Sequence, residues 1–138
     1  MVSGIRPRAL TVLFVDGHPD TRWAYIEAAR AEGIDAEAAS DGWEAFAKAI
    51  RSAPDVVVTA VRLAGIDGLE LTRCLRANEA TRHVPVIVVT GLLGADLQAQ
   101  AQAAGCAAFL TKPCDFDVIE RTIRRIVVER ERPVLQQA

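Results

Sequence analysis

The chain of 138 residues has the length of one domain, with 51% of its residues apolar, 25% charged, a net charge of −2 and a pI near 5.7. That balance gives no general electrostatic reason to bind nucleic acid or an anionic membrane, and no apolar run approaches the roughly 20 residues of a membrane span. The cysteines, Cys74, Cys106 and Cys114, are odd in number and widely spaced, which argues against a disulfide framework or a zinc site and fits a reducing cytoplasm.

The opening "MVSGIRPRAL" is basic but lacks the long apolar core and cleavage site of a signal peptide. "LTVLFVD" (10–16) is a nearly continuous apolar run bounded by Gly17 and Pro19, which suits a strand buried on both faces. A helix is expected from Pro19 to about Gly33, with Ala24, Ala28 and Ala31 toward the core and Trp23 and Ile26 on the opposite side. "IDAEAAS" (34–40) alternates like a strand, and "DGWEAFAKAIRS" is a helix expected to turn Phe46, Ala49 and Ile50 inward. "DVVVTA" (55–60) is a second buried strand. "DGLELTRCLRAN" is a helix with Asp67 as its N-cap and Leu71, Cys74 and Leu75 facing inward, Cys74 as a small core residue.

"VPVIVVT" (84–90) is a further strand, followed by the weaker, Ala-rich helix "ADLQAQAQAAG" ending at Gly105. "AAFL" (107–110) is a short strand, and the last helix carries Val118, Ile119, Ile123, Ile126 and Val127 on one stripe. Five strand–helix units in alternation imply a parallel sheet covered by helices on both faces, and right-handed crossovers limit the topology to a doubly wound fold. We divide the chain into an extension (1–9), one α/β domain (10–130) and a frayed tail (131–138).

In a doubly wound sheet, ligands bind beyond the carboxyl ends of the strands at the switch point. The strand ends bring together Asp16, Ala60, Thr90 and Lys112. An acid, a hydroxyl and an ammonium converging from distant segments make a candidate site, although each alone reads as a helix-capping acid or a solvated side chain.

The motifs "VLFVDGHPD", "ASDGWEA", "PDVVV", "RLAGIDGLEL", "VPVIVVTG" and "AAGCAAFLTKP" follow one another in an order and spacing that resembles the receiver domain of two-component response regulators, over about residues 10 to 128. The resemblance implies a flavodoxin-like (βα)5 fold with a five-stranded sheet in the order 2-1-3-4-5. It also implies an aspartate at the end of strand three that is phosphorylated from a histidine kinase, and two adjacent acids that help to hold Mg²⁺. A hydroxyl and a lysine then contact the phosphoryl group, and an aromatic residue on strand five changes rotamer. By position, Asp16 matches the first acid, Thr90 the hydroxyl, Phe109 the aromatic and Lys112 the lysine. Ala60 stands where the phosphoacceptor is expected, and Gly17 where the second, metal-ligating acid is expected.

A methyl group cannot attack phosphorus, and Mg²⁺ demands near-octahedral oxygen ligands, usually anchored by carboxylates. Asp16 and Lys112 are what remains of the charged site, and they are expected to form a direct ion pair contributing roughly 0–1 kcal/mol. No other residue replaces the acceptor. Asp55 lies about 16 Å back along the strand at 3.3 Å per residue. Alternation turns Thr59 away from Ala60, and Asp67 is occupied as a cap. His18 lies in the mouth of the site, either solvated or with a regulatory or metal-binding role.

These features imply a non-enzymatic, cytoplasmic pseudo-receiver that works by phosphorylation-independent protein–protein contact, with Mg²⁺ binding weak or absent. The alternative is a receiver-like domain sensing a small anion or metabolite through Asp16, Thr90 and Lys112. The expected partner is a protein, either a sensor kinase or a downstream regulator, with Trp23 and Ile26 as the candidate contact and Trp43 as a further exposed aromatic. Trp23 folded over a loose core is the competing reading. The basic outer face of the last helix, Arg121, Arg124 and Arg125, is balanced by Glu120, Glu129 and Glu131, a poor nucleic-acid footprint. A monomer or a weak homodimer is expected.

Overall fold

The computed structural model describes residues 8–131. The expected extension (1–9) and tail (131–138) therefore lie largely outside the described residues. Within them the chain alternates strand and helix: β1 (Thr11–Val15), α1 (Pro19–Ala31), β2 (Asp35–Ala39), α2 (Gly42–Ser52), β3 (Val56–Thr59), α3 (Gly68–Ala77), β4 (Val86–Thr90), α4 (Ala95–Ala104), β5 (Ala108–Thr111) and α5 (Phe116–Arg130). All strand pairs are parallel, in the order β2-β1-β3-β4-β5, the flavodoxin-like arrangement expected.

The apolar strand runs are explained by burial on both faces. Leu13, Val15, Val57, Val86 and Val88 meet α2, α3 and α4 on one side of the sheet. Val12, Phe14, Val56, Val58, Ile87 and Val89 meet α1 and α5 on the other. Phe14 has no exposed surface, and its ring lies 5.3 Å from that of Tyr25 and 6.1 Å from that of Phe116. Truncating a buried phenylalanine of this kind costs about 3–5 kcal/mol, so this aromatic trio anchors α1 and α5 to the sheet.

Three of the helices that deliver the site start on side-chain signals. Pro19 opens α1. Asp41 caps α2 by accepting from the Glu44 N–H at 2.8 Å, while Glu44 Oε1 accepts from the Ser40 N–H at 2.6 Å, a reciprocal pair at the helix start. Asp67 caps α3 as expected, accepting from the Glu70 N–H at 2.8 Å. Gly105, at φ +102°, ends α4 in the left-handed conformation that favours glycine.

Several helix-face expectations are corrected. On α1, Ala24 and Ala31 are exposed and Ala28 is half-buried, while Tyr25, Ile26 and Ala29 face the core. A rotation of one residue, about 100° on a helix, separates the two faces, and the large Tyr25 ring with its Phe14 contact selects the observed one. Ile26 therefore packs inward and does not form an exposed pair with Trp23, which is 67% exposed. On α2, Ala45 and Ala49 are buried and Phe46 half-buried, but Ile50 lies on the surface. Cys74 is only half-buried, beside the fully buried Leu71 and Leu75.

Candidate functional site

Parallel register brings the carboxyl ends of the strands together. Val15 lies opposite Thr59 on β3, Thr59 opposite Val88 on β4, and Thr90 opposite Thr111 on β5. The residues at these ends enclose a concavity of about 220 Å³ lined by Asp16, Ala60, Val61, Arg62, Thr90 and Lys112, among others. Four sequence-predicted residues thus meet, as the topology required.

Asp16 is buried and its hydrogen bonding is largely met locally. Its Oδ1 accepts from the His18 N–H at 2.9 Å, and its Oδ2 lies 3.3 Å from Lys112 Nζ. The backbone on either side of that carboxylate is tied down too. The Asp16 N–H donates to the Ala39 carbonyl at 3.2 Å, and the Asp16 carbonyl accepts from the Arg22 guanidinium at 2.8 Å. The Lys112 N–H donates to the Thr90 carbonyl at 2.9 Å, which sets the height of the ammonium above the sheet. Thr90 Oγ1 accepts from the Leu92 N–H at 3.0 Å and bends the chain away after β4.

Ala60 is held through its backbone N–H and carbonyl. Its N–H donates to the Val15 carbonyl at 2.9 Å and its carbonyl accepts from Thr59 Oγ1 at 2.8 Å. Thr59 is buried and spends its hydroxyl on this local bond. A Cβ at Gly68 would overlap the Ala60 carbonyl, so this glycine permits α3 to start against the end of β3. Gly17 is different. A Cβ there would meet nothing nearer than the Ser40 carbonyl at 3.8 Å, so neither space nor backbone conformation demands glycine.

His18 is exposed and precedes α1 with no side-chain capping bond. Phe109 is half-buried against the cluster shared with α2, α3 and α4. Trp43, 56% exposed, lies over Gly65 in the loop after β3, and the Gly42 N–H donates to the Ala64 carbonyl at 3.2 Å. Trp23 stands on the surface of α1 without Ile26 beside it. Two cations were missed at the sequence level, Arg62 in the lining and Arg22 on the Asp16 carbonyl. Arg22 was findable, since it follows His18 by one helical turn. For Arg62, two residues past the strand end, the sequence carries no signal of where the loop turns.

Asp55 sits at the opposite, amino end of the central strand β3. It accepts from the Arg8 guanidinium at 2.7 and 2.9 Å and from the Thr11 N–H at 2.9 Å, while its carbonyl accepts from Arg130 at 3.2 Å. The guanidinium holds this carboxyl down at about 2. Asp55 is thus a clamp between the two ends of the domain, far from the site. In the core, burial first and the Asp16 charge second push the Tyr25 phenol up to about 12.

The donor set does not fit a divalent cation. Asp16 is the one carboxylate in the lining, and among the described residues no group of three or more His, Cys, Asp or Glu side chains is placed to hold a metal. Mg²⁺ asks for near-ideal octahedral oxygen geometry and gives up its water reluctantly, so one acid already shared with Lys112 is a poor anchor.

A doubly wound five-stranded domain whose acid, hydroxyl and lysine converge at the switch point is a signalling module of the receiver class. The chain belongs to the response regulator receiver domain family, which it matches over residues 12–124. It is 35% identical over 96 residues to the response regulator PleD of Caulobacter vibrioides, covering 70% of this chain and 21% of that protein. It is 27% identical over 114 residues to the polar-differentiation response regulator DivK of Brucella ovis, covering 83% of this chain and 93% of that protein. The signal receiver domain of a signal transduction histidine kinase from Syntrophus aciditrophicus superposes with a TM-score of 0.83 at 26% identity, over 91% of this chain and 95% of that one. The chain is a receiver domain of two-component signalling, and it spans about a fifth of the length of PleD. No helix among the described residues is long and apolar enough to cross a membrane.

Proposed function

We propose that this domain is an atypical receiver, a signalling element that works by protein–protein contact without aspartyl phosphorylation and without enzymatic turnover. The observation that carries the reading is the pairing of two features in one concavity. A methyl group, Ala60, directly follows β3 where a nucleophile is needed, and the single lining carboxylate, Asp16, already faces Lys112 Nζ at 3.3 Å. Phosphoryl transfer is chiefly positioning plus charge neutralisation. A site with neither nucleophile nor metal anchor supplies neither.

A Cβ at Gly17 would meet nothing nearer than 3.8 Å, so local crowding does not account for the missing acid, which agrees with the same reading. Mg²⁺ binding is weak or absent, and the partner is a protein of a two-component pathway, a sensor kinase or a downstream regulator, met by a monomer or weak homodimer in the cytoplasm. Trp23 is the contact residue we assign on α1; Ile26 supports that surface from beneath, since it packs inward.

The test is two-dimensional amide NMR of the protein alone, with Mg²⁺, and with Mg²⁺ plus beryllofluoride, alongside intact mass after incubation with phosphoramidate. The reading expects no mass gain and no Mg²⁺-dependent beryllofluoride shifts at Asp16, Ala60, Thr90 and Lys112. A phosphoryl adduct on the intact mass would overturn it.

A further inference from the structure

The second helix, α2, keeps an apolar stripe in solvent. Among the described residues the exposed large apolar side chains are Trp23, Trp43, Ile50, Leu93 and Val128, and of these only Trp43 and Ile50 share a helix. They stand seven residues apart with the exposed Ala47 between them. That i, i+4, i+7 spacing lays three side chains along one face over about 10 Å. Ala45 and Ala49, buried on the opposite side, already fix α2 to the sheet, so the stripe is surplus to the core. The exposed Ala64 widens it at the end where the Gly42 N–H meets the Ala64 carbonyl and Trp43 lies over Gly65.

A row of charge runs beside the stripe, and it has a direction. Glu44 stands in the first turn of α2 and Arg51 in the last. Lys48, between them, is drawn back, its Nζ donating to the Ala38 carbonyl at 2.6 Å and lying 3.4 Å from Glu44. Arg51 is exposed and forms no ion pair among the described residues. A helix that is acidic at its start and basic at its end is complementary to itself only when turned end for end. A two-fold axis at Ala47 sets that residue against its own copy, lays Trp43 over the partner's Ile50 and the partner's Arg51, and brings Glu44 opposite the partner's Arg51 twice. The small side chain at the crossing lets the helix axes approach to roughly 8 Å, the short end of the usual range, and indole over guanidinium is a favourable stack.

We propose that this face binds a second copy of the chain, through an antiparallel, two-fold symmetric pairing of α2 with α2 centred on Ala47. One patch meets itself, as a closed dimer requires. The contact is small, so the association is weak, in the micromolar to millimolar range. It uses the side of the sheet that α2 shares with α3 and α4, and leaves Trp23 on α1, across the sheet, open to another protein. The proposal gives the homodimer of the functional reading a face, and rests on that part of the reading alone.

The test is sedimentation equilibrium of the full chain from micromolar to millimolar protein at low salt. Tryptophan emission is recorded in parallel on Trp23→Phe, which leaves Trp43 as the sole indole. The apparent mass is expected to rise from 14.9 kDa toward twice that value while the Trp43 emission moves to the blue. Ala47→Glu, at an exposed helix position, sets like charges at the axis and is expected to weaken association at least about tenfold with circular dichroism unchanged. Arg51→Glu is expected to weaken it about tenfold at low salt and little at high salt, because the charge pairs lie on the rim. In a parallel pair residue 51 would face its own copy and the change would be neutral. An association indifferent to Ala47→Glu uses another face, and one indifferent to Arg51→Glu is not antiparallel; either result overturns the proposal. So does a monomer at every concentration. Acrylamide quenching of Trp43 then separates the other occupants, a shielded indole pointing to another segment of this chain and an open one to a different protein. A monomer leaves the phosphorylation-independent reading standing, since that reading fails on a phosphoryl adduct in the intact mass.

Discussion

Asp55→Asn removes one charge and keeps the shape of the side chain. In the folded protein this carboxylate takes two hydrogen bonds from Arg8 and two from Thr11, and its carboxyl is lowered from 3.8 to about 2, first by the Arg8 hydrogen bonds and then, against the cost of burial, by those of Thr11. At about 1.4 kcal/mol per pKa unit the full shift corresponds to roughly 2 kcal/mol. Arg8 is 67% exposed, so solvent screens part of its effect, and about 1–2 kcal/mol is the figure expected. The sign follows from linkage. A carboxyl lowered by folding contributes stability that is present above its unfolded value of 3.8 and is lost as the pH falls through about 2. Urea unfolding of both proteins, followed by circular dichroism from neutral pH downward, reads the effect. The variant should be less stable by about 1–2 kcal/mol at neutral pH, and the gap should close as acid protonates Asp55 in the wild type. A gap that stayed constant across that range would refute the reasoning, because it would assign the loss to packing and not to charge.

Gly68→Ala places a Cβ against the Ala60 carbonyl, a backbone group that cannot swing aside, so a loss of about 1–3 kcal/mol in urea unfolding is expected. The lone tyrosine, Tyr25, should form phenolate only near pH 12 in an absorbance titration, and stability should fall between its ordinary 10.0 and that value, since the raised pKa means that the fold favours the neutral phenol. Asp16→Asn should change stability by less than about 1 kcal/mol, its partner being partly exposed, yet shift and mobilise the Lys112 side-chain resonances; unchanged resonances would remove the ion pair from the account. Amides of α4 should exchange faster than those of α5, because only Ala101 and Ala104 are buried on α4, whereas α5 buries Ile119, Thr122, Ile123, Ile126 and Val127.

The fold was legible because strands buried on both faces must be apolar throughout, so "LTVLFVD", "DVVVTA" and "VPVIVVT" announce themselves by composition. The convergence of Asp16, Ala60, Thr90 and Lys112 was legible for a related reason: parallel strands of similar length end at one edge, whatever the side chains between them do. The Asp67 cap was equally local, resting on a bond between neighbours three residues apart. What stayed hidden depended on contacts remote in sequence. The inward face of α1 is chosen by Tyr25 meeting Phe14 and Phe116, and a periodicity of small alanines on that helix cannot report two rings on other elements. Asp55 reads as a strand-end acid until Arg8, Thr11 and Arg130 are brought around it from both ends of the domain. Arg62 reads as a loop cation until the turn after β3 sets it at the rim of the concavity. Sequence by itself determined the elements, their order and the methyl group of Ala60 just after β3, because those are matters of local chemistry and burial. Tertiary structure alone decided which way the helices face and which charges surround the site, because side-chain partners far apart along the chain meet only when the sheet is assembled.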